Sequence, residues 1–161
     1  MKLLALSLLL ASTVTLAAES ATFTTKSLAP ETALKAAQAA LAKCRAEGYQ
    51  VAVAVVDRAG LTQVLLRDRF AGAHTVDLAT NKAWTAVSFR TDTSELEKAT
   101  RSGDMTGLRH VPRVSVVAGG VMVQAGGSLL GGIGVSGAPG GAADEVCARA
   151  GIESIADDLE F

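Results

Sequence analysis

GGIGVSGAPGGAADE, running from Gly131 to Glu145, decides how the rest of this 161-residue chain is read. Within it, Gly132-Ile133-Gly134-Val135-Ser136-Gly137 fits G-x-G-x-x-G letter for letter, the fingerprint of a strand-to-helix turn that cradles a pyrophosphate. The context argues otherwise. Ile133 and Val135 alternate with Gly132 and Gly134, so the glycines fall on one face of a strand, and Pro139-Gly140-Gly141 still separates them from the helix that follows. Asp144 and Glu145 lie in that helix's first turn, where they complement its dipole and repel a phosphate. No nucleotide is expected here. Ser136 opens like a nucleophile elbow, but Ala138 replaces the last glycine of G-x-S-x-G. The positive reading is bare backbone, a face that another backbone, a flat ligand or a neighbouring subunit can approach closely.

Outward from this stretch the chain alternates between two periods. Pro30 to Glu47 reads as an alanine-rich helix with apolar positions at 34, 37, 41 and 44 and Gly48 as its stop. VAVAVVDRAGLTQVLLRD is a hairpin turning at Asp57-Arg58-Ala59-Gly60. Helical spacing returns over residues 75–89, and Asp92-Thr93-Ser94-Glu95 is a capping box for a short helix ending near Thr100. A polar stretch leads to Pro112. From Arg113 the pattern is β again, through RVSVVAGG, VMVQ and, after a turn at Ala125-Gly126-Gly127, SLLGGIGVSG. A last helix covers Ala142 to Ile155. Strands in antiparallel runs with helices segregated around them indicate an α+β layered domain.

The first residues have the layout of a secretory signal peptide: Lys2, an apolar run from Leu3 to Leu10, then small residues to Ala17-Ala18. Residues 1–17 are therefore expected to be a leader and 18–161 a single domain, periplasmic or secreted, with no stable membrane anchor because the apolar run is too short. Fifteen basic against sixteen acidic residues give no field for nucleic acid, and one Trp, one Tyr and four Phe offer few stacking platforms. Cys44 and Cys147 are the two cysteines, too few for a four-thiolate metal site. Two readings stand: buried thiols packed as small apolar groups, or a disulfide between the first and last helices.

The hairpin VAVAVVDRAG, the helix core NKAWTA followed by Thr93-Ser94-Glu95-Leu96, AGGVMV, and above all GGIGVSGAPGGAADEVCARAG resemble the GlcG/HbpS-like proteins, relatives of the C-terminal domain of PduO-type corrinoid adenosyltransferases. The resemblance spans essentially the whole chain after the leader. It departs at Met122, where relatives often have Pro. It implies a profilin-like fold, a five-stranded antiparallel sheet with helices on both faces. It also implies homo-oligomers and, in several members, binding of haem or a related tetrapyrrole. A haem-degrading activity attaches to the family by name, but no residue here identifies itself as oxygen-activating, and catalytic residues stay unassigned.

Given that implication, His74 in FAGAHTVD and His110 in GLRHVPR are the candidate axial ligands of haem iron, since both sit in polar, glycine-flanked connections. Arg109, Arg113 and Lys82 are the cations available to propionates, with Arg109 beside His110 the leading pair. Lys82 has a second reading as the partner of Asp144 in a structural ion pair. Trp84 is expected in the core with Leu78 and Val87. Three functions remain: an exported oligomeric haem-binding protein, an accessory protein or enzyme acting on a small organic acid such as glycolate, and a purely structural oligomer.

Overall fold

Ala52-Val53-Ala54-Val55-Val56 alternates small with branched side chains and is buried along its whole length, which places it at the centre of a sheet covered on both sides. The computed structural model describes residues 20–159, so the expected leader lies outside the described residues. Strands β1 (Ala52–Asp57), β2 (Thr62–Arg67), β3 (Gly120–Ala125) and β4 (Ser128–Ser136) form one antiparallel sheet in the order β2-β1-β4-β3. Helices α1 (Pro30–Ala46) and α4 (Gly141–Glu153) cover one face, α2 (His74–Phe89) covers the other, and the short α3 (Thr93–Ala99) follows α2. The fold is α+β, as the sequence indicates. No described helix is long and apolar enough to cross a membrane.

The two faces are built from different side chains. Val53 lies opposite Val135 and Val55 opposite Ile133, and these four join Ala36, Ala37, Ala40 and Leu41 of α1 in the main core. On the reverse face Ala54 lies opposite Gly134 and Val56 opposite Gly132. There the occupant of the bare backbone is α2 itself. A Cβ on Gly134 would strike the Ala79 carbonyl, and one on Gly132 would stand 3.0 Å from the Ala83 carbonyl oxygen. Of the approaches that glycine allows, the chain uses another backbone, its own. Helix α1 meets α4 in the same way, for a Cβ on Gly151 would come within 2.7 Å of the Ala36 carbonyl oxygen. The inward face of α1 is consequently the alanine row at 33, 36, 37 and 40, and Leu34 is exposed. Cys44 and Cys147 are joined by a disulfide that ties α1 to α4 across 103 residues of chain.

Several sequence expectations need correction. The sheet has four strands among the described residues where the family resemblance implies five. RVSVVAGG does not form a strand: Arg113 has φ 69, and its neighbours' amides go to side chains, Ser115 N–H to Thr85 Oγ1 at 2.9 Å and Ala118 N–H to Glu97 Oε2 at 3.4 Å. Asp92 is the N-cap of α3 through its main-chain carbonyl, which accepts from the Glu95 and Leu96 amides, but its carboxylate makes no capping bond, since it accepts from the Met122 amide of β3 at 2.9 Å and from Arg149 at 2.9 Å. Trp84 is only half-buried; it packs on Gly60 at the hairpin turn, with the Arg113 guanidinium 4.7 Å above its ring.

Candidate functional site

Between the N-terminal half of α2 and the loop that carries β4 into α4 lies a cavity of about 500 Å³. Glycine builds its wall. Gly137 has φ 132, and a Cβ there would press to 2.6 Å from the Gln50 carbonyl oxygen, so the loop turns away from β4 in a way other residues resist. His74, the first residue of α2, stands exposed at the rim, and no hydrogen bond or ion pair engages its imidazole among the described residues. The rim is otherwise apolar: Phe70 is 79% exposed, Val117 is exposed, and Tyr49 and Leu78 are half-buried.

The floor is polar. Lys82, on α2, is 1% exposed and donates from Nζ to Asp144 Oδ2 at 2.7 Å and to the Val135 carbonyl at 2.9 Å. Asp144, on the first turn of α4, uses Oδ1 to accept from Ala138 N–H at 2.9 Å. Burial dominates both ionisations. It pulls the Lys82 amine below its ordinary range despite the carboxylate beside it, and it pushes Asp144 up despite Lys82 and the Ala138 and Gly137 amides. Ser136, 2% exposed, lines the same cavity, and no partner engages its hydroxyl among the described residues.

The sequence candidates thus divide. His74 and Lys82 come together around one cavity; His110, Arg109 and Arg113 do not line it. Arg109 closes the C-terminal end of α3, donating to the Thr100 carbonyl at 2.9 Å and the Glu97 carbonyl at 3.1 Å. His110 ends a 3₁₀ turn over Asp104–His110 and is exposed, and Arg113 lies on Trp84. His74 is not in a connection, as its glycine neighbours suggest, but opens α2. Sequence reasoning missed Phe70, Val117 and Tyr49; the available signal was an aromatic residue in the glycine-containing connection DRFAGAH.

The residues partly fit a haem. A free imidazole beside apolar walls suits an iron centre in a hydrophobic ring. The three expected cations do not serve its propionates, since Lys82 is held by Asp144, Arg109 by main-chain carbonyls and Arg113 by Trp84.

Comparison with known proteins agrees in fold and extent. Residues 28–153 match the model of a family described as haem degrading protein HbpS-like. A double mutant of HbpS from Streptomyces reticuli superposes with TM-score 0.78 at 42% identity, covering 88% of this chain and 97% of that one. The PduOC:heme complex superposes with TM-score 0.76 at 30% identity, over 80% of this chain and 95% of the other. An uncharacterized 15.0 kDa protein from the dhaT-dhaS intergenic region of Citrobacter freundii is 35% identical over 108 residues, 65% of this chain and 76% of that protein.

Proposed function

The chain belongs to the HbpS-like family, and we propose that it binds haem or a related tetrapyrrole at the cavity headed by His74, as an exported homo-oligomer. The observation that carries this reading is the unengaged His74 imidazole at the rim of a cavity walled by Phe70, Val117 and Leu78. His74 would hold the iron of a bound haem through an imidazole nitrogen, and its place at the start of α2 sets it on a rigid element. Phe70 and Val117 would cover apolar ring surface that water would otherwise meet. When bound, the iron supplies ligand and electron chemistry; this chain's residues bind and orient it. A solved haem complex of a relative at 30% identity supports the ligand class. Exposed Leu61 and Val146 offer apolar area for a sister chain, and the first residues have the composition of an export leader.

Haemin titration followed by absorbance tests the site. His74→Ala is expected to shift the Soret band and weaken binding by about tenfold or more, while His110→Ala matches the wild type. A Soret band that responds to His110→Ala and ignores His74→Ala would move the site to the 3₁₀ turn and overturn this assignment.

A further inference from the structure

The haem reading leaves the cavity floor without a task, yet the floor gathers an amine, a carboxylate and a hydroxyl. A buried lysine is costly, and burial as an ion pair stabilises less than apolar packing of equal volume. Structure alone gives no reason to place Lys82 and Asp144 against a cavity. Ser136 adds an independent sign of a ligand. Its hydroxyl sits in a residue 98% removed from solvent, lines that cavity and has no protein partner among the described residues. The Gln50 carbonyl oxygen Oε1, also on the cavity, is buried without a donor.

We propose that this floor is a reaction subsite for a small carbonyl compound, an aldehyde or a 2-oxo acid, which condenses with the Lys82 amine to form an imine. Asp144, 2.7 Å from Nζ, takes one ammonium proton and leaves the neutral amine. The amine nitrogen forms a bond to the carbonyl carbon while the C=O π electrons move to oxygen; Ser136 donates a hydrogen bond to that oxygen and the second ammonium proton passes to it. The carbinolamine hydroxyl then takes the proton held by Asp144 and leaves as water, as the nitrogen lone pair closes the C=N bond. The net change is one ammonium and one carbonyl to one iminium and one water, with Asp144 restored to carboxylate. Burial holds the Lys82 amine below its ordinary range, so more of it is neutral near neutral pH than of a surface lysine.

The subsite does not depend on haem binding, because His74 takes no part in it. The test treats haem-free full-length protein with glyoxylate and sodium cyanoborohydride and maps the lysines that become carboxymethylated. Lys82 should be labelled several-fold faster than exposed Lys35 and Lys98. Ser136→Ala and Asp144→Asn should each slow Lys82 labelling and leave Lys35 and Lys98 unchanged, with circular dichroism confirming that each variant is folded. His74→Ala should label like the wild type even though it binds haemin poorly. Lys82 labelled no faster than Lys35 and Lys98 in the folded wild type, or only after urea is added, would overturn the proposal and leave the haem reading intact.

Discussion

Replacing Gly134 by Ala adds one methyl group at the point where α2 lies closest to the sheet. The added Cβ would collide with the Ala79 carbonyl oxygen and sit 2.7 Å from the Ala83 amide nitrogen and 3.1 Å from the Ala79 carbonyl carbon. All three neighbours are backbone, and an ordinary contact begins at 3.4 Å, so relief requires α2 to move bodily instead of one side chain to rotate. That movement would loosen Ala83 against Val56 and Ala79 against Ala54. Overpacking against movable side chains costs about 1–3 kcal/mol, and a rigid helix backbone puts this case at the upper end or above, about 3 kcal/mol or more. For a domain of this size the melting temperature should fall by roughly 10 °C. Gly107→Ala is the control, with nothing within 4 Å of its new Cβ, and should stay within about 0.5 kcal/mol of wild type. Urea unfolding followed by circular dichroism measures both. If Gly134→Ala unfolds within about 1 kcal/mol of wild type, α2 is not seated on the glycine face and the packing argument fails.

Three further outcomes follow from the buried polar groups and the disulfide. Asp144→Ala leaves Lys82 buried without its partner and should cost about 3–5 kcal/mol in urea unfolding, whereas Lys82→Met with Asp144→Leu should be roughly neutral. Reduction, or Cys44→Ala with Cys147→Ala, should lower stability by about 2–5 kcal/mol because 103 residues of unfolded chain lose their tether. Asp68 is buried and held by two hydrogen bonds from Arg45, at 2.7 and 3.0 Å, which keep its carboxyl below the ordinary value near 3.8. A lowered folded pKa contributes stability that is present above 3.8 and lost as pH falls through the folded value. Asp68→Asn should therefore flatten the acid limb of a stability–pH curve, and an unchanged limb would remove Asp68 as its cause.

Much of the fold was legible because its signals are local. The alternation of glycine with Ile133 and Val135 marked a strand with one bare face, and Asp57 to Gly60 marked the hairpin, where the Asp57 carboxylate accepts from the Ala59 and Leu61 amides. What remained hidden were features decided by partners distant in sequence. The inward row of α1 is alanine instead of the larger Leu34, because Gly151 brings α4 too close for leucine. RVSVVAGG has the composition of a strand, yet Thr85 and Glu97 take its amides before any strand can.

The site shows the same division. By composition His74 and His110 are equivalent, each a histidine near glycine, and the arginine beside His110 made it the stronger candidate. Arg109 is instead consumed by the open carbonyls at the end of α3, a need that exists only once that helix forms. His74 gains its setting from residues up to the far end of the chain, because the wall facing α2 is made by Gly137 to Gly141. The glycine stretch and the helix of small residues at 79, 83 and 86 are two halves of one device. Bare backbone on β4 lets α2 sink onto the sheet, and the loop beyond β4 then closes over the helix's N-terminal half. Glycine thus shapes the cavity indirectly, by setting the depth of α2 and with it the position of His74 and Lys82. A substitution at Gly134 should disturb haemin binding only to the extent that it displaces α2.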